Sequence, residues 1–263
     1  MTTGPAARPS AAARSPFDLT GRCAAVTGAG RGLGRAIALG LARAGADVVL
    51  LGRPGHQDET RDRITALGVK ADVVDLDVSD LDAVERVSAD LNDSRRIDVV
   101  VNNAGIIDRE DSVAVGRDSW QRVLDVNLTG LFFLTQRLGH PMVERGHGKI
   151  VSVASLLSFQ GGLRVASYAA TKHGVAGLTK ALANEWGPHG VQVNAIAPGY
   201  MVTDNTTALR EDADRARAIL DRIPAGRWGT PEDVAGAAVF LSSSAADYVN
   251  GHVLAVDGGW LAR

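Results

Sequence analysis

The chain has one cysteine, Cys23, among 263 residues. No intrachain disulfide framework is available, and no cysteine cluster can hold a metal. A lone thiol fits a reducing cytoplasm, and inside a strand-like run Cys23 reads as a packing residue. Excess charge is equally scarce. The 28 basic and 30 acidic residues leave a formal −2, which gives no electrostatic footprint for nucleic acid or an anionic membrane. No uninterrupted apolar run is long enough to span a bilayer. The six histidines lack metal-ligand spacing, so no metal site is expected.

What is present suits one large α/β domain: 45% hydrophobic residues and 30 glycines for tight turns. Residues 1–16 are rich in Ala, Arg, Ser and Pro and contain no acid. That stretch is short and broken by prolines, so a disordered tail is expected rather than a transit peptide. From Arg22 onward short β-branched runs alternate with longer amphipathic stretches, the signature of repeated βα units. Strands are predicted at Ala24–Val26, Val48–Leu51, Val73–Leu76, Val99–Val101, Ile150–Val153, Gln192–Ile196 and Val253–Val256. Seven strands with intervening helices make a doubly wound parallel sheet. No linker or internal repeat divides 17–263, so a single domain is expected. A polar, helix-prone insertion at about 200–228 breaks the alternation, where such sheets carry substrate lids.

The first predicted strand runs into Thr27-Gly28-Ala29-Gly30-Arg31-Gly32-Leu33-Gly34 and then a helical stretch. Glycines there let the backbone turn sharply and approach a pyrophosphate, which the free N–H groups of the helix start can hold. The spacing of Gly28, Gly32 and Gly34 is looser than the usual dinucleotide fingerprint, but the strand–turn–helix setting is the one that gives it meaning. Other strand ends agree. Asp77-Val78 could accept from an adenine amine, Asn103, Ala104 and Gly105 are small enough to pass near an adenosine, and Pro198-Gly199 precedes Thr203, which could bond a carboxamide. Singly, each is also what a turn or a cap looks like.

Tyr168 and Lys172 stand four apart, on one face of a predicted helix, with Ser155 thirteen residues before the tyrosine. A cation beside a phenol favours the phenolate, so Lys172 is expected to lower the Tyr168 pKa toward neutrality, as a general acid or base requires.

With these residues assembled, the chain from about Leu19 onward resembles the short-chain dehydrogenase/reductase family. The resemblance rests on Thr27 to Gly34, Asn102 to Gly105, Asn127, Ser155, Tyr168-x-x-x-Lys172 and Pro198-Gly199. It implies a Rossmann-type domain that exchanges nicotinamide hydride with a carbonyl or alcohol carbon. Tyr168 would transfer the proton and Ser155 would bond the reacting oxygen. Lys172 would tune the phenol and hold the nicotinamide ribose, and Asn127 would hold a water linking Lys172 to solvent. Two preplaced hydroxyls suit that chemistry, because negative charge grows on the substrate oxygen as hydride arrives. The family also implies a homotetramer, for which Val175–Leu182 and Ala235–Leu241 are candidate faces, though core packing produces the same pattern.

Several loops look like those of the sugar-acid branch of the family, the bacterial 2-dehydro-3-deoxy-D-gluconate 5-dehydrogenases. They are Ile107–Asp111, Leu157–Val165, Pro198–Met201, Ile223–Gly229 and Asp247 to Arg263. The likeness implies a cytoplasmic oxidoreductase acting on a deoxy sugar acid at a secondary alcohol or ketone. A carboxylate calls for a guanidinium, and Arg109 and Arg164 are the candidates, with Gln160 as a hydroxyl partner. Both arginines are equally readable as surface or subunit contacts. Alternatives within the family are a gluconate 5-dehydrogenase or a 3-oxoacyl-carrier-protein reductase; outside enzymes, a dinucleotide-binding regulator. NAD users carry an acid at the end of the second strand. Here Gly52 and Arg53 stand there, which permits NADP, whereas the sugar-acid resemblance leans to NAD; the cofactor is therefore NAD or NADP.

Overall fold

The computed structural model describes residues 15–263. All but the last two residues of the expected 1–16 tail lie outside the described residues. Seven strands form one sheet: β1 (Cys23–Thr27), β2 (Asp47–Gly52), β3 (Ala71–Asp75), β4 (Val99–Asn102), β5 (Gly148–Val153), β6 (Val191–Pro198) and β7 (Val253–Val256). The spatial order is β3-β2-β1-β4-β5-β6-β7, and every pairing is parallel. The direction of winding therefore reverses between β1 and β4, where an open α/β sheet leaves a crevice beyond its carboxyl ends.

The helices are α1 (Gly32–Arg43), α2 (Asp58–Thr65), α3 (Leu81–Ser94), α4 (Arg117–Leu124), α5 (Gly130–Glu144), α6 (Ala166–Trp186), α7 (Thr207–Glu211), α8 (Ala213–Leu220) and α9 (Pro231–Ser242). Alternation along the strands sorts their side chains into two cores. Ala24 and Val26 join Ile37, Leu41, Ile64, Val234 and Leu241 from α1, α2 and α9. Ala25 joins Val84, Leu91, Leu134, Leu138, Met142 and Leu182 from α3, α5 and α6. Both faces of the central strands are covered, which is why they read as continuous Val/Ile runs. Ala235 packs against Gly40 of α1, and Val175 and Leu182 are buried, so much of the two candidate interface stretches is core.

Six predicted strands overlap their observed counterparts closely, but β3 begins two residues earlier than expected and ends one earlier. It is an edge strand pairing with β2 from Ala71, and its exposed Asp72 and Asp75 hide it from a search for apolar runs. The 200–228 insertion folds as a short 3₁₀ turn at Asp204–Thr206 followed by α7 and α8.

Candidate active site

A cavity of about 330 Å³ opens at the carboxyl ends of β1, β2 and β4. Its floor is the glycine-rich turn. Gly28 and Gly32 adopt left-handed φ of 64° and 52°, and a methyl on Gly34 would run into the Gly28 carbonyl. The N-terminus of α1 has no side-chain cap and no acid in its first turn, so its free N–H groups keep their positive potential. Asn103 fastens this cradle from β4, its Nδ2 donating to the carbonyls of Thr27 at 2.9 Å and Gly28 at 3.2 Å. The N–H groups of Asn103 and Ala104 both donate to Thr27 Oγ1 at 2.9 Å. The cradle fits a pyrophosphate and the dinucleotide that carries it.

Most sequence-predicted cofactor residues line this cavity: Gly28, Arg31, Gly32, Leu33, Arg53, Asp77, Val78, Asn103, Ala104, Gly105, Tyr168, Lys172 and Thr203. Gly34, Pro198 and Gly199 do not; Gly34 is packed beneath the turn, and Gly199 N–H donates to the Val256 carbonyl at 2.9 Å. Asp77 accepts from the N–H and hydroxyl of Ser79, which hold its carboxyl below the usual range with help from Arg53. The lining also includes His56, Gln57, Ile106, Val153, Asp204 and Asn205, none of which the sequence reading singled out. His56 and Gln57 follow Pro54-Gly55, so a turn signal was there, but nothing in it pointed toward the cavity.

Tyr168 and Lys172 project from the first turns of α6, with Lys172 4% exposed. Lys172 Nζ donates to the Val153 carbonyl at 2.7 Å and lies 5.4 Å from the Tyr168 ring centroid. Burial lowers the Lys172 pKa to about 8. The expectation that Tyr168 is acidified is corrected here. Burial raises its pKa, opposed by the Ser155 hydrogen bond and the more distant charge of Arg109. Desolvation of the phenolate outweighs the groups that favour it. Ser155 follows β5 and caps a 3₁₀ turn, its Oγ accepting from Leu157 N–H at 3.2 Å.

Asn127 sits in a π-helical turn, Asp125–Thr129, between α4 and α5. Its Oδ1 accepts from Ile106 N–H at 2.8 Å, and its Nδ2 donates to the Ile106 carbonyl at 2.9 Å. The carboxamide thus pins Ile106, a wall of the cavity. Neither arginine lines the cavity; Arg109 is exposed, but it donates to the carbonyl of Asn205, a lining residue, at 3.0 Å, and its charge reaches the Tyr168 phenol. Arg164 has a φ of 62°, pairs with Asp111 at 3.0 Å and does not line the cavity. Gln160 Oε1 accepts from Trp260 Nε1 at 3.4 Å. Trp186 packs on Gly139, and Trp228 and Trp260 flank Tyr200. Burial pushes the Cys23 thiol up to about 11, which keeps it protonated.

A dinucleotide cradle at the switch point of a parallel sheet, with serine, tyrosine and lysine beside it, defines the class: a nicotinamide-dependent oxidoreductase. Residues 28–261 match a family model described as enoyl-(acyl carrier protein) reductase. The chain belongs to the short-chain dehydrogenase/reductase family and is an NAD(P)-dependent oxidoreductase acting on CH–OH groups. It is 53% identical over 247 residues to the 2-dehydro-3-deoxy-D-gluconate 5-dehydrogenase of Bacillus subtilis, covering 94% of this chain and 97% of that protein. It is 58% identical, with a TM-score of 0.90, to an Agrobacterium tumefaciens structure assigned as a 2-deoxy-D-gluconate 3-dehydrogenase with NADP bound, covering 95% of this chain and all of that one. A gluconate 5-dehydrogenase of Burkholderia cenocepacia in complex with NADP and tartrate is 40% identical with a TM-score of 0.91, over 94% of this chain and 98% of that one.

Proposed function

We propose that the chain interconverts a secondary alcohol and a ketone on a deoxy sugar acid, the chemistry named for its 2-dehydro-3-deoxy-D-gluconate 5-dehydrogenase and 2-deoxy-D-gluconate 3-dehydrogenase relatives. The observation that carries this reading is the pairing of the Ser155 hydroxyl with the Tyr168 phenol beside the dinucleotide cavity that Tyr168 and Lys172 line. A nicotinamide dinucleotide, when bound, supplies or accepts the hydride. Tyr168 gives its proton to the substrate oxygen in reduction and takes it in oxidation. Ser155 donates a second hydrogen bond to that oxygen as charge develops. Lys172 holds the nicotinamide ribose and positions Tyr168. Arg109 pairs with the substrate carboxylate, and the segment over 200–228 covers it.

The cofactor in this reading is NADP. Gly52 places no carboxylate at the end of β2, and Arg53 lines the cavity with no hydrogen-bond or ion-pair partner among the described residues. A homotetramer in the cytoplasm is part of the same reading; the outer face of α6 offers exposed Ala170 and Gly177, small enough for close helix approach. The test is the initial rate of absorbance change at 340 nm with 2-dehydro-3-deoxy-D-gluconate, 2-deoxy-D-gluconate and D-gluconate, each with NAD and NADP. Turnover of a deoxy acid is expected, faster with NADP. Turnover of gluconate alone would move the substrate to the gluconate 5-dehydrogenase reading.

A further inference from the structure

The loop between β2 and α2 carries a polar group with no role so far. Gln57 is 2% exposed and occupies the N-cap position of α2, yet its side chain makes no cap. Its Oε1 accepts from the His56 N–H at 3.1 Å. A backbone donor needs an acceptor, so this bond fixes which way the amide faces: oxygen toward the backbone, NH₂ away from it. Nε2 has no hydrogen-bond partner among the described residues. The side chain lines the cavity together with Gly52 and Arg53. Nε2 is thus a free donor open to the cavity, placed where an acceptor that arrives with a ligand can take it.

Gly52 is what lets the amide stand there. A Cβ on residue 52 would lie 2.5 Å from Gln57 Nε2 and 3.5 Å from its Cδ. The amide therefore fills the volume that a side chain at the end of β2 would need. In that place an acid accepts from the ribose hydroxyls and repels a phosphate. A neutral donor does the reverse with the phosphate and still bonds a hydroxyl oxygen.

We propose that Gln57 is a specificity-determining residue for the dinucleotide: its Nε2 donates to the oxygen on the adenosine C2′, whether hydroxyl or phosphate, and Gly52 is the vacancy that admits it. The inference rests on the dinucleotide site proposed above. Arg53 then supplies the charge that favours phosphate, while Gln57 supplies the bond common to both.

Binding, not turnover, tests this, by displacement of NADPH fluorescence with adenosine 5′-monophosphate, its 2′-deoxy analogue and adenosine 2′,5′-bisphosphate. The wild type should prefer the monophosphate to its deoxy analogue by roughly three- to tenfold, the worth of one neutral hydrogen bond. Gln57→Leu should bring the two within about twofold, and so should Gly52→Ala, which displaces a flexible side-chain tip without touching the fold. Gln57→Glu should weaken the bisphosphate by at least about tenfold and the monophosphate far less, because a carboxylate repels the 2′-phosphate. A wild type without the deoxy preference, a Gln57→Leu protein that keeps it, or a Gln57→Glu protein that binds the bisphosphate as before overturns the proposal. A wild type that binds the monophosphate tighter than the bisphosphate would instead sink the NADP reading, and the deoxy comparison would still decide the role of Gln57.

Discussion

Lys172 places its ammonium on the Val153 carbonyl, 2.7 Å away, and not on the hydroxyl of Tyr168, whose ring centroid lies 5.4 Å off. The lysine is accordingly not among the groups that shift the tyrosine's charge. In this state the phenol keeps its proton, since burial raises its pKa.

That sign gives a pH profile. Reduction consumes the phenol proton and should hold its rate through neutrality, falling only in the alkaline range. Oxidation needs the phenolate and should climb with pH across that range. Measuring kcat/KM in both directions from about pH 6 to about pH 10 checks this, and an oxidation rate already level near pH 7 would contradict it.

Replacing Tyr168 with Phe should lower kcat by at least about 10²-fold, the usual contribution of a positioned acid or base. NADPH binding, followed by fluorescence, should change less than about twofold, since the ring and its packing remain. Undiminished turnover would remove Tyr168 from the chemistry.

Arg109→Ala should raise KM for the sugar acid by at least about tenfold, as expected for loss of a charge-assisted pair. The KM for a neutral polyol, if turned over, should change far less. Arg164→Ala should leave both unchanged, because its guanidinium is engaged with Asp111. An equal loss in the two variants would refute the assignment.

Gly139→Ala tests the packing away from the site. The added methyl would stand 2.7 Å from the Trp186 ring, which is rigid and cannot yield as a long side chain would. Urea unfolding should show a loss of about 1–3 kcal/mol, in the range of overpacked cores.

Much of this site could be read along the chain, and the reasons are local. Tyr168 and Lys172 are brought together by helical spacing alone, and the cradle from Gly28 to Gly34 by its place between β1 and α1. Arg109 and Arg164 could not be told apart, because both follow strand ends and only the path of each loop decides which one reaches Asn205 and which one Asp111. Gln57 was invisible for another reason. Its meaning comes from what Gly52 lacks, and an absent Cβ five residues away leaves no pattern in a sequence. The phenol's shift was misjudged because spacing shows a neighbouring charge but not the water that folding removes.

The amide of Asn103 lies 2.9 Å from where a Cβ on Gly28 would be and 2.5 Å from one on Gly34. Two glycines of one turn and a residue some seventy positions on therefore share one small volume. A side chain at either glycine would push on the Asn103 amide, and shortening Asn103 strips the Thr27 and Gly28 carbonyls of their donor. A change at any one of the three therefore falls on the other two.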